Sequence, residues 1–212
     1  MDLERLKQAA EESAWLVRRG YLTDAVAEFV ASQRELDAEH RAVLRASTRL
    51  DAHYPHHIAR ELDPEDVAKR PLRVDAASVL STVAAALRGG VLLQSPAGVV
   101  CDPGFTRPGS PTELDAAVDR ICGALRAARP SLARWFVDDS APWADALAAS
   151  IGRRRGKLGM ELERVPDGSA ALAGASFVVS SDPAVLDQCV SWFNLVTRAL
   201  EGTSANVLGL QG

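Results

Sequence analysis

From Pro71 onward, short runs of β-branched and aromatic residues alternate with helical stretches, and four of these runs end in an aspartate. They read Leu72-Arg73-Val74-Asp75, Val99-Val100-Cys101-Asp102, Trp135-Phe136-Val137-Asp138 and Phe177-Val178-Val179-Ser180-Ser181-Asp182. A run of this composition closed by a polar break reads as a buried strand. Strands expected at 72–75, 91–94, 98–101, 133–137, 160–165 and 176–179, with helices between them, restrict the fold to α/β. A mostly parallel sheet with helices on both faces is the solution that buries both sides of such strands. Ligands of these sheets bind at the carboxyl ends of the strands, which places Asp75, Asp102, Asp138 and Asp182 on one rim. Like charges gathered there call for a divalent cation or a cationic ligand.

The first 53 residues are of another kind. Leu3, Leu6, Ala10, Ala14 and Val17 recur at helical spacing, with Trp15 and Leu16 widening the stripe. Gly20 stops that helix, and Thr23 or Asp24 is placed to cap a second through Val26, Phe29 and Val30. A third follows Asp37 through Val43, Leu44 and Leu50. The expectation is a helical bundle over 1–53, a linker over 54–70 punctuated by Pro55, Pro64 and Pro71, an α/β domain over 71–202, and a fraying tail over 203–212. Pro64 suits the first position of a short helix within the linker. The last helix is expected to run unbroken through Val185, Leu186, Val190, Phe193, Val196 and Leu200. Its Trp192 and Phe193 serve either the core or a homo-oligomer interface.

With a formal net charge of −4 and a pI of about 5.6, the chain offers no global basic field for nucleic acid. Cys101, Cys122 and Cys189 are odd in number and form no CxxC pair, as expected of buried thiols in a reducing compartment. The first residues lack a signal-peptide core, and no apolar stretch is long enough to span a bilayer. A cytoplasmic protein without a membrane partner is the expectation.

Each candidate residue carries a structural alternative. An aspartate after a strand is a common N-cap, and Ser180-Ser181-Asp182-Pro183 fits a cap with proline at the first helical position. Asp138-Asp139-Ser140 fits one as well. Arg153, Arg154, Arg155 and Lys157 suit either a phosphate-binding patch or the C-terminal end of a helix. Arg41, Arg45 and Arg49 share a helix face, for nucleic acid or for ion pairs with Glu35, Asp37 and Glu39. His53, His56 and His57 are close enough for a metal, but Pro55 is expected to break the helix that would align them, leaving exposed linker histidines. Trp15 and Trp192 are expected in apolar packing, and Trp143 at the rim as a stacking surface. No nucleophile elbow, Walker lysine or GxGxxG after a strand occurs.

The pattern Trp15-Leu16-Val17-Arg18-Arg19-Gly20-Tyr21, then Ala25, Phe29-Val30 and Arg41-Ala42-Val43-Leu44-Arg45, resembles the domain-of-unknown-function 434 family. Members carry a C-terminal α/β domain that looks like PIN-type nucleases, with Val-Asp-Gly-Tyr-Asn, Cys-Asp-Asp-Gly-Phe, Leu-Asp-Ser-Pro and Ser-Asp-Ser-like turns. The matching stretches here are Val74-Asp75-Ala76-Ala77-Ser78, Cys101-Asp102-Pro103-Gly104-Phe105, Val137-Asp138-Asp139-Ser140 and Ser180-Ser181-Asp182-Pro183. The resemblance implies a ribonuclease in which Asp75, Asp102, Asp138 and Asp182 hold Mg²⁺ or Mn²⁺ and position a water. Glu113, Asp139 and Asp187 would support them from behind, and the basic run 153–157 would touch RNA. Ala76-Ala77-Ser78 in place of Gly-Tyr-Asn, and Pro103 in place of an acidic residue, point the other way. They imply weakened turnover, or a non-catalytic module for nucleic-acid or protein binding that keeps the fold.

Overall fold

The computed structural model describes residues 3–104, 108–154, 156 and 158–209. The chain begins with helices α1 (Leu3–Val17), α2 (Thr23–Gln33) and α3 (Ala38–Ile58). Leu6, Ala9, Val26, Val30, Val43, Leu44 and Leu50 fill a common core, as their three- and four-residue spacing dictates. Asp37 starts α3 by accepting from the His40 backbone N–H. At α2 the expected cap is displaced: Leu22 holds that position with no side-chain cap, and Thr23 is already helical. Trp15, expected in apolar packing in the core or at an interface, is exposed and so is not part of the core. At about 100° per residue it stands on the side of α1 opposite Leu6, Ala9 and Ser13.

The expected boundary at Tyr54 is corrected by α3, which runs through Pro55 to Ile58. The connection to the next region therefore begins at Ala59. An interior proline removes one N–H and crowds the preceding turn. Contacts on both sides of it hold this helix together. His53 and His57 both reach Asp187, and Trp192 Nε1 donates to the His57 carbonyl. The short helix α4 (Pro64–Val67) follows, with Pro64 in its first turn and a capping box formed by Asp63 and Asp66.

The remaining elements are β1 (Pro71–Asp75), α5 (Ala76–Leu87), β2 (Val91–Gln94), β3 (Val100–Cys101), α6 (Pro111–Ala128), β4 (Leu132–Asp138), α7 (Ala144–Arg154), β5 (Met160–Val165), α8 (Gly168–Leu172), β6 (Val178–Val179), α9 (Pro183–Gln188), α10 (Leu195–Ala199) and β7 (Asn206–Gly209). Among the described residues the main sheet has the order β5-β4-β1-β6, and every neighbouring pair is parallel. Alternation along the strands assigns its two faces. Leu72, Val74, Ala133, Trp135, Val137 and Val179 pack with α5, α6, α7 and α10. Phe136 and Val178 belong to the core shared by the three-helix bundle, α8 and α9. On that face α8 packs against the strands, and the bundle joins the same core through α9.

The expected strands at 91–94 and 98–101 are joined by a tight turn at Ser95-Pro96-Ala97-Gly98 into a hairpin, with β2 and β3 antiparallel. It lies in a second sheet of order β3-β2-β7. The tail expected to fray instead supplies β7, parallel to β2 along its whole length. The expected last helix is likewise interrupted. After α9 the chain runs extended, and Trp192 bridges both Val178 and Glu61 before α10 begins at an Asn194 cap. Two short helices joined by an extended segment buried at Trp192 and Phe193 produce the same apolar spacing as one long helix, so periodicity could not separate them. Both residues are core. The three cysteines are buried and free. Among the described residues no helix is long and apolar enough to cross a membrane.

Candidate functional site

Strand register decides which aspartates meet. Val74 pairs with Val179, so Ser180 follows level with Asp75. Asp75 itself pairs with Phe136, so Asp138 lies two residues further along β4, about 6–7 Å beyond. The rim is stepped, and Asp138 stands off its end.

Asp75 is buried and caps α5, its Oδ1 accepting from the Ser78 N–H. Its Oδ2 accepts from the Ser78 hydroxyl at 2.6 Å and the Ser180 hydroxyl at 2.8 Å. Each hydroxyl is itself an acceptor, Ser78 Oγ from the Ser181 N–H and Ser180 Oγ from the Asp182 N–H. Such chains polarise one another and are costly to dismantle. Burial pushes the Asp75 carboxyl above its ordinary value, and the serine and backbone donors only partly oppose that.

The same network reaches two further aspartates. The Ser78 carbonyl accepts from Thr82 Oγ1, which accepts from the Asp102 N–H at 3.2 Å. Asp182 caps α9, accepting from the Ala184 N–H with Pro183 in the first turn, as the sequence indicated. Burial raises the Asp182 carboxyl, and the charge of Asp75 adds to the rise. Burial, then the charges of Asp102 and Asp182, push up the Cys101 thiol. Asp75, Asp102 and Asp182 therefore form one electrostatic neighbourhood, joined by Ser78, Thr82 and Ser180.

The other expected residues lie elsewhere or serve other ends. Asp138 Oδ1 accepts from the Gly168 N–H at 2.6 Å and ties β4 to α8. A Cβ on Gly168 would meet that oxygen at 3.1 Å, so glycine is what permits the approach. Asp139 is exposed, and its N–H extends the pairing with β5 at Val165. Glu113 accepts from the Gly109 N–H and Arg88. Arg88 is the C-cap of α5 and Asp75 its N-cap, so Glu113 sits at the far end of that helix. Arg153 makes two bonds to Asp115, and Arg154 reaches both Asp115 and Asp119 of α6. Arg155 and Lys157 lie outside the described residues. Trp143 packs half-buried against the core that the main sheet shares with α5, α6, α7 and α10, its Nε1 buried and without a hydrogen-bond partner among the described residues.

One cluster was not expected as a cluster, although Arg49, His53, His57 and Asp187 were each named in other roles. Asp187, on α9, accepts from His53 Nδ1 at 2.7 Å, His57 Nε2 at 2.9 Å and Arg49 Nε at 3.1 Å. Arg60 adds bonds to the Asp187 and Cys189 carbonyls. His57 is fully buried, contrary to the expected exposed linker histidine. Burial alone would raise the Asp187 carboxyl, yet the bonds from His57, His53 and Arg49 overcome it and hold the group at about 2. The signal was present in sequence: Arg49, His53 and His57 continue the four-residue stripe of Arg41 and Arg45. The latter two pair with Glu28 on α2.

Asp75 is turned inward onto hydroxyls, Asp138 stands off the rim, and Asp187 is claimed by Arg49 and two imidazoles. Among the described residues no group of three or more His, Cys, Asp or Glu side chains is arranged to hold a metal ion.

The profile of a domain of unknown function, DUF5616, matches residues 64–198, more than half of the chain. The chain belongs to the DUF5616 family. A second profile, a protein of unknown function, DUF434, matches residues 5–54, in agreement with the resemblance noted on the bundle. The gap between the two matches, residues 55–63, spans the end of α3. The DUF5616 region thus contains all four strand-end aspartates and Asp187, while the three basic partners of Asp187 straddle the end of the DUF434 match. No curated protein and no solved structure matches the chain.

Proposed function

We propose that the chain is a non-catalytic binding module, a PIN-like α/β sheet that keeps an acidic strand-end rim without metal-dependent cleavage at it. The observation that carries this reading is the Asp75 carboxylate, buried and fully engaged by Ser78 and Ser180. Ser78 is the third residue of the Ala76-Ala77-Ser78 departure, so the substitution that removes the expected amide also supplies the group that locks Asp75. Arg153 and Arg154 are neutralised by Asp115 and Asp119, which favours a protein partner over RNA. The test is a labelled-RNA assay with Mg²⁺ or Mn²⁺. The reading expects neither metal-dependent cleavage nor RNA binding that depends on Arg153 and Arg154. Cleavage that Asp182→Asn removes would overturn it.

A second reading, a cytoplasmic Mg²⁺- or Mn²⁺-dependent ribonuclease with weakened turnover, is favoured by one observation. Asp75, Asp102 and Asp182 share one neighbourhood, with Asp182 raised in part by the charge of Asp75. It requires Asp75 to exchange its serine partners for the ion.

A further inference from the structure

The outer face of the bundle gathers several of the large apolar side chains that the described residues leave exposed. Trp15, Tyr21, Leu22 and Phe29 are 53%, 61%, 78% and 55% exposed. Scattered apolar residues on a surface are ordinary, but contiguous aromatic ones mark a contact site. Trp15, Leu16 and Phe29 line one shallow groove between α1 and α2, edged by Glu11 and Glu12. Glu12 is already paired with Arg34. Arg19 lies over the Trp15 ring, its guanidinium carbon 3.4 Å from the centroid, and bonds the Trp15 carbonyl.

Glu11 and Trp15 stand one turn apart on α1, and Arg19, just past its end, is folded back over the Trp15 ring, so the three lie in one row. The row reads negative, aromatic, positive. An antiparallel copy of the same row reads positive, aromatic, negative. Placed across a twofold axis at Trp15, each Glu11 meets the second copy's Arg19 and the two indoles meet each other. A surface that complements itself under rotation is what a symmetric dimer requires.

We propose that this face is a homodimer interface, with α1 packed antiparallel on α1 of a second copy across Trp15. Tryptophan and arginine are the residues that most often dominate such contacts, and they lie here at the centre of the patch. Phe29 extends the apolar area, and the Glu11–Arg19 pairs set the orientation. The inference uses no residue of the strand-end rim and stands whether or not the rim cleaves RNA.

Sedimentation equilibrium of the full chain tests it. The wild type is expected to sediment at twice the chain mass. Trp15→Ser combined with Phe29→Ser, both at exposed positions, is expected to weaken association by about 30-fold or more, with the far-ultraviolet circular dichroism unchanged. Glu11→Arg alone and Arg19→Glu alone are each expected to weaken it, and the two together to restore it. A wild type that stays monomeric at ~0.5 mM leaves the face to some other partner and overturns the proposal. A dimer indifferent to the aromatic variants, or a charge-swapped pair no better than the single variants, overturns it equally.

Discussion

Asp75 and Asp187 are two carboxylates of one neighbourhood, each taken largely out of water, and they answer burial in opposite ways. Asp75 receives neutral donors, two serine hydroxyls and backbone N–H groups, and its affinity for a proton rises. Asp187 receives a guanidinium and two imidazoles, and its affinity falls to about 2. Dipoles can satisfy a carboxylate's geometry without recovering its lost hydration. Hydrogen bonds from two imidazoles and a guanidinium recover it and more. The difference also separates the two roles. Asp75 organises the start of α5 from within the sheet, whereas Asp187 fastens α9 to the helix that carries the bundle across Pro55.

The largest expected effect follows from breaking the charged member. Asp187→Ala strands Arg49, His53 and the fully buried His57, and is expected to cost about 3 kcal/mol in urea unfolding. Asp75→Ala leaves two hydroxyls and a helix N–H without their acceptor and is expected to cost about 2 kcal/mol. Asp75→Asn removes a buried charge while keeping an acceptor, and is expected to stay within about 1 kcal/mol of wild type. If Asp75→Asn proved as damaging as Asp187→Asn, the contrast between neutral and charged partners would be lost.

The two groups also predict opposite pH behaviour. Asp187 has a depressed value, so its contribution is fully present above the ordinary carboxylate range and is lost as the pH falls toward about 2. Asp75 has a raised value, so the native state holds its proton more tightly than the unfolded chain does. Its ionisation costs stability as the pH rises above about 4, and Asp75→Asn should gain on wild type over that interval. Urea titrations of both variants from acid to neutral pH check the two signs. The smallest effect concerns Asp138. Gly168→Ala is expected to cost about 1 kcal/mol by pushing the Asp138 oxygen from its place, measurable as a lowered denaturation midpoint.

The sequence revealed the α/β class and the cap at Asp182, because strand composition and capping chemistry are local. It concealed whatever depended on a partner distant in sequence. Pro55 read as a helix breaker because the contacts that hold α3 together come from Asp187 and Trp192, more than 100 residues away. The stretch from Val185 to Leu200 read as one helix because burial on two sides imitates helical spacing. β7 was hidden because its pairing with β2 outweighs the poor local preference of a small, polar tail. Ser78 was read for the amide it lacks, while its hydroxyl, one helical turn from the Asp75 cap, is what the site uses.

The central claim is that Asp75 is committed to its serine partners and unavailable to a divalent ion. Calorimetric titration of Mn²⁺ into the full chain, and into its Asp75→Ala variant, tests it most directly. The account predicts no saturable heat from either protein up to millimolar Mn²⁺. Saturable binding by the wild type that Asp75→Ala abolishes would contradict it.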